Sequence, residues 1–192
     1  MNHCRRFLDE TAEIASLVKA GEIAAMVHEL KTLRERGGAL FIIGLGGSAA
    51  NASHAVNDFR KLCGIKAYAP TDNVAELTAW ANDMGWRYIF SEWLDITNPD
   101  SDDAILILSV GGGTPDISIP LVSVIAEAKM HLMKVFGIVG RDGGETAKYA
   151  DCCIIIPPLI KERITPHTEA FQSVILHCIV SHPDLQIRAT KW

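Results

Sequence analysis

A three-layer α/β sandwich around a parallel sheet is the fold this sequence predicts, and three observations predict it. Apolar runs at residues 39–43, 104–108, 134–139 and 152–156, with a weaker one at 65–68, have the length of strands. They lack polar alternation, so both faces of each are buried. Helix-length segments separate most of them, and β-then-α repetition requires right-handed crossovers in a parallel sheet. Glycine turns follow three of the runs, at residues 44–48, 109–114 and 140–144. Those are the carboxyl ends of strands, where such sheets hold ligands.

Taken in order, residues 4–36 carry Phe7, Ile14, Leu17 and Val18, then Ile23, Met26, Val27 and Leu30, at helical spacing, so two amphipathic helices precede the first strand. The first strand breaks at Gly44-Leu45-Gly46-Gly47-Ser48 and gives way to a helix carrying His54 and Asp58. Glycine lets the backbone approach a ligand closely, and the unpaired N–H groups of a helix start favour an anion. Phosphate is the first expectation. Trp80, Trp86, Tyr88, Phe90 and Trp93 cluster before the next strand and suit core or oligomer packing. After Ser109-Val110-Gly111-Gly112-Gly113-Thr114, the pair Pro115-Asp116 is expected to open a helix through about Met130, with Thr114 as its N-cap. Residues 163–177 read as a loop and then a helix whose apolar face is Phe171, Val174, Ile175 and Cys178. Residues 1–192 form one domain, with 1–36 as oligomerisation helices and 37–192 as the α/β core and last helix.

Bulk properties exclude several classes. The chain has 192 residues, 48% hydrophobic and 21% charged, enough for a full core without disorder. A formal charge of −5 with scattered Lys and Arg leaves no basic stripe, so direct nucleic-acid binding is not expected. Five cysteines without metal-type or paired spacing suit reduced thiols in the cytoplasm. No apolar stretch is long enough for a signal peptide core or a membrane span.

The glycine turns are neither a dinucleotide fingerprint nor a Walker loop: Ala49 stands where the third glycine would fall, and no lysine follows. Hydroxyls of Ser48, Ser109 and Thr114 can donate to phosphate oxygens, with N-capping the alternative use of Ser48 and Thr114. His54 and Asp58, four apart, share one helical face, where a carboxylate can orient an imidazole or share a metal with it. Glu169 and His177 lie on one ridge about 12 Å apart, so they meet at one point only through extended side chains or from different subunits. A salt bridge on a solvated face is the alternative for Glu169.

Together these features resemble the sugar isomerase (SIS) domain, with its five-stranded flavodoxin-like sheet, and within it the phosphoheptose isomerases. The resemblance spans nearly the whole chain. It rests on two N-terminal helices, the G-x-GGS turn with a helical histidine six residues after its serine, TDNVAELTAWANDMGW, the Ser/Gly loop, VGRDGG and a late helix with histidine, in the family's order. It implies isomerisation of sedoheptulose 7-phosphate to D-glycero-D-manno-heptose 7-phosphate through an enediol, serving surface heptose synthesis, by a cytoplasmic homotetramer. The family's catalytic glutamate falls on Asp58 and its catalytic histidine on His177. Its zinc ligands, where a member binds zinc, fall on His54, Asp58, Glu169 and His177, a set suited to Zn²⁺ or another divalent ion. Its substrate contacts fall on Gly46, Gly47, Ser48, Asp83, Ser109, Gly111 and Thr114.

Departures from the family pattern are also implied. Asp58 reaches about 1.5 Å less than glutamate, and Glu169 adds a charge where the family has glutamine, which makes Glu169 a second candidate base. Leu45 and Gly111 replace polar residues, so phosphate is expected to rely on backbone N–H groups of the glycine nest. The rival reading is a non-catalytic SIS protein, either a phosphosugar sensor or an adaptor of the kind that binds a replication initiator.

Overall fold

The computed structural model describes residues 2–190, so Met1 and residues 191–192 of the single-domain assignment lie outside the described residues. Two helices, α1 (His3–Leu17) and α2 (Ala20–Arg36), lead into β1 (Ala39–Gly44). Then follow α3 (Gly47–Asp58), β2 (Lys66–Tyr68), α4 (Val74–Asp83), α5 (Ile89–Asp95), β3 (Ala104–Ser109), α6 (Ile119–Met130), β4 (Lys134–Val139), α7 (Gly144–Tyr149), β5 (Cys152–Ile155) and α8 (Ile164–Val180). All five strands are parallel, in the order β2-β1-β3-β4-β5. The weak run at 65–68 is therefore a real strand, at the sheet edge.

Alternation along each strand divides the core into two layers. Leu40, Ile42, Leu106, Leu108 and Phe136 face α2, α3 and α8 through Leu30, Val56, Phe171 and Ile175. Phe41, Ile43, Ile105, Ile107 and Val135 face α5 and α6 through Phe90, Leu94, Leu121 and Val124. Each such side chain contributes about 1.5–3 kcal/mol by leaving water, and this two-sided demand explains strands with no polar alternation. Phe90 and Trp93 belong to this core, while Trp86 and Tyr88 are exposed.

The start of α6 departs from expectation. Thr114 does not cap a helix beginning at Pro115. Its Oγ1 accepts the N–H groups of Asp116 (3.4 Å) and Ile117 (3.0 Å), closing a loop, and Ser118 turns left-handed at φ 56° before α6 begins at Ile119. Pro120 then occupies the first turn, where its missing N–H costs nothing.

A buried polar group fastens α1 to α8. The Glu10 carboxylate takes Arg163 Nε and Nη2, each at 2.7 Å, and His167 Nε2 at 3.0 Å, and the His167 ring stacks on Phe7. Hydrogen bonds from Arg163 and then His167 hold the Glu10 carboxyl at about 2, below its ordinary 4.5. A depressed carboxyl stabilises the fold above its unfolded value and ceases to as pH falls through its folded value. Glu10→Gln is thus expected to lower the thermal midpoint most at pH 6, with the gap from wild type closing between pH 4.5 and about 2. A gap independent of pH in melting curves would remove this assignment.

All five cysteines are free thiols. Burial pushes the Cys63 and Cys153 thiols up to about 12, so both are inert in the folded protein.

Candidate active site

The turn after β1 is shaped by steric need. A Cβ at Gly44 would fall 2.5 Å from Ser48 O, and Gly46 takes φ 61° at the N-cap of α3. Ser48, in the first turn, is buried and lines a cleft instead of capping the helix. The cleft, about 440 Å³, sits over the carboxyl ends of β1, β3 and β4, with Leu45, Ser48, Ser109, Gly111, Thr114 and Arg141 in its lining. The strand order reverses there, since β2 lies on one side of β1 and β3 on the other.

The glycine nest expected to hold phosphate is turned inward. Ser109 Oγ accepts the N–H groups of Gly111 (3.3 Å) and Gly112 (3.0 Å), and the Thr114 N–H donates to Ile117 O at 2.8 Å. With Asp116 and Ile117 bound to Thr114 Oγ1, most N–H groups of this loop already have acceptors. The hydroxyl protons of Ser109 and Thr114 remain as donors. The glycines serve a different end. A Cβ on Gly112 would fall 1.8 Å from Gly143 O, so this loop and the turn after β4 lie backbone to backbone.

On the other side of the α3 start, the helix runs alongside α8. Asn51 Nδ2 donates to Glu169 O (2.9 Å) and Gln172 Oε1 (3.0 Å), and Ser173 Oγ donates to Asn51 Oδ1 (3.1 Å). Two turns further on, His54, Asp58 and His177 converge. Asp58 Oδ2 lies 3.3 Å from His54 Nε2 and 3.7 Å from His177 Nε2, and the two Nε2 atoms are 3.0 Å apart. The imidazoles are about half exposed, while Asp58 is buried and its Oδ1 accepts from Asn57 Nδ2 at 2.9 Å. Directly after Asp58 the helix widens into a π-type turn, Phe59–Cys63, a distortion frequent at functional sites.

This donor set fits a divalent metal. Tetrahedral zinc with ligands at about 2.0–2.1 Å has ligand atoms roughly 3.3 Å apart, and 3.0, 3.3 and 3.7 Å bracket that edge. Three protein donors leave one coordination position open, as in catalytic zinc sites.

Glu169 does not join them. It stands two turns before His177, and its carboxyl group occupies the space a Gly47 side chain would fill, since a Cβ there would lie 2.5 Å from Glu169 Cδ. That puts the carboxylate beside the α3 start, where the helix dipole favours it. Asp83 joins neither group. It is exposed at the end of α4 and accepts from Asn82 Nδ2 at 2.7 Å.

No family model matches the chain. The chain is 27% identical over 184 residues to the phosphoheptose isomerase of Fusobacterium nucleatum, covering 92% of this chain and 85% of that protein. It is 34% identical over 134 residues to the phosphoheptose isomerase of Leptospira biflexa, covering 66% of each. The solved phosphoheptose isomerase of Neisseria gonorrhoeae superposes with a TM-score of 0.81 at 21% identity, over 92% of this chain and 95% of that one. The chain belongs to the SIS-domain phosphoheptose isomerase family.

Two residues of this phosphoheptose isomerase relative escaped the sequence reading. Asn51 lies four residues after Gly47 and three before His54, the spacing of one helical face, and could have been found on that ground. Arg141 belongs to the third glycine turn, at a strand end adjacent to β3, and its position in the phosphoheptose isomerase fold brings a cation to the cleft.

Proposed function

We propose that the chain isomerises a sugar phosphate, sedoheptulose 7-phosphate to D-glycero-D-manno-heptose 7-phosphate, with the phosphate in the cleft and the reacting carbons at the His54–Asp58–His177 cluster. The spacing of the two carries this reading. Ser48 and His54 are six residues apart on α3, about 9 Å along its axis, and an extended chain advances about 1.2 Å per bond. The roughly seven bonds from phosphorus to C2 of such a ketose span about 8 Å. The curated relatives named phosphoheptose isomerase support the substrate class.

In this reading Ser48, Ser109 and Thr114 donate hydroxyl protons to the phosphate oxygens, and Thr114 and Ser109 are held for it by the N–H groups they accept. Asp58 takes the proton from C1 of the ketose and returns it to C2, while His177 gives a proton to O2 and receives one from O1, so the enediol forms and collapses with no net change in protons. Glu169, the other candidate base, stands about 12 Å along α8 from His177, which favours Asp58. A divalent ion such as zinc, held by His54, Asp58 and His177, would polarise the substrate carbonyl when bound.

The assembly belongs to the same proposal. Residues 1–36 are read as oligomerisation helices of a cytoplasmic homotetramer, with 37–192 as the catalytic core and last helix. Exposed Leu8 and Leu17 on α1 support this, as do the outward halves of His54 and His177, which a neighbouring copy could cover. No helix among the described residues is long and apolar enough to cross a membrane.

The test is turnover of sedoheptulose 7-phosphate by purified protein, before chelation, after it, and after zinc is restored. Loss on chelation and recovery with zinc is the expected result. Turnover that resists chelation would assign the reaction to side chains without a metal. Binding of the phosphosugar with no turnover in any state would replace the enzyme by a sensing module.

A further inference from the structure

The inward-turned loop leaves the cleft short of positive charge, and one residue supplies it. The N–H groups of Gly111, Gly112, Thr114, Asp116 and Ile117 are bound within the loop, and the Glu169 carboxylate already lies by the start of α3. A phosphate carries close to two negative charges, and neutral hydroxyls offset them weakly compared with a charged donor. Arg141 is the one cation lining the cleft among the described residues. Its guanidinium forms no hydrogen bond or ion pair with another described residue. Its backbone is held left-handed at φ 53°, a conformation that costs a side-chain-bearing residue about 1–2 kcal/mol. Glycine is the residue that avoids this cost, and glycine stands on both sides of the Arg141-Asp142 pair.

Gly111 explains how the side chain passes. A Cβ at that position would lie 3.5 Å from Arg141 Cδ and 3.8 Å from Nε. The arginine stem thus runs over the bare backbone of Gly111 into the cleft. A larger residue there would crowd the stem.

We propose that Arg141 binds the phosphate of the substrate directly, supplying the charge that the glycine loop does not. The inference rests on the phosphosugar reading above and names the residue that selects for phosphorylated sugars. Five donors in a planar fork suit a phosphate bidentately.

The experiment uses three proteins, wild type, Arg141→Ala and Arg141→Gly, with calorimetric binding of sedoheptulose 7-phosphate, steady-state kinetics and competition by inorganic phosphate. Losing a charge-assisted hydrogen-bond pair is expected to raise Kd and KM about 10- to 100-fold, with kcat within about threefold of wild type. Inorganic phosphate should lose its power to compete by a similar factor. Arg141→Gly separates charge from backbone effects, because it relieves the left-handed strain. It should melt no lower than wild type and still lose the affinity. Wild-type affinity in both variants overturns the proposal while leaving the phosphosugar reading intact. A drop in kcat with KM unchanged also overturns it. Failure of the wild type itself to bind the phosphosugar would remove both readings.

Discussion

His177→Ala is expected to lower turnover of sedoheptulose 7-phosphate by about 10²- to 10⁴-fold, the usual contribution of a positioned acid or base, and to leave the melting temperature nearly unchanged. The two halves follow from the same geometry. Its side chain is 56% exposed, so truncation opens no cavity, and exposed substitutions typically change stability by less than about 0.5 kcal/mol. On the buried face of the same helix, Phe171 and Ile175 pack into the core, and their removal would cost about 2–5 kcal/mol. What His177 touches is His54 Nε2 at 3.0 Å and Asp58 Oδ2 at 3.7 Å. Without it the carboxylate keeps one imidazole and the cluster falls below three donors, so both the side-chain relay and any metal site are lost. Steady-state kinetics beside circular dichroism melts decide the matter. Full turnover in a folded variant would move the reacting centre away from this cluster.

Gly112→Ala is expected to be the most damaging small change to the fold around the cleft. The new Cβ would lie 1.8 Å from Gly143 O and 2.4 Å from Gly143 C, and both are backbone atoms that cannot rotate away. The position also sits at φ 69°, which adds about 1–2 kcal/mol for any residue with a Cβ. To relieve the overlap the two loops must part, breaking the bonds that Thr146 N (3.0 Å) and Oγ1 (2.7 Å) make to Gly112 O and that Glu145 N makes to Gly113 O (2.9 Å). A total loss of about 3–5 kcal/mol follows, or a fall in melting temperature on the order of 10 °C for a chain of this size. Gly46→Ala is the control: its φ is 61° but a Cβ there meets nothing within 4 Å, so only the conformational cost remains. Equal melting points for the two variants would show that loop-on-loop contact is not what Gly112 serves.

Strands were legible because burial on both faces leaves a direct mark on composition. The runs near residues 39, 104, 134 and 152 are apolar apart from Lys134 at the start of the third, and each became a strand within one residue of its expected ends. The start of α6 was not legible, because the Thr114 hydroxyl gathers N–H groups in a loop much as it would at a helix start. Local chemistry is the same in both, and only the path of the chain across the cleft tells them apart.

In the site, the pairing of His54 with Asp58 followed from spacing on one helix, where four residues fix a direction whatever the surroundings. The meeting with His177 is a contact across 123 positions, set by how α3 and α8 lie together. The same packing drew Glu169 to Gly47 and away from the cluster that family resemblance had assigned it. It also decided the role of the glycines at residues 111–113. As a motif they suggest a phosphate nest, but the turn after β4 presses against them and the N–H groups of Gly111 and Gly112 close on Ser109. Periodicity and composition thus determined the sheet, its layers and which helices carry reactive residues, since these depend on neighbours along the chain. Tertiary packing alone decided which reactive residues meet and which cation enters the cleft, because side chains distant in sequence touch only where the core brings their elements together.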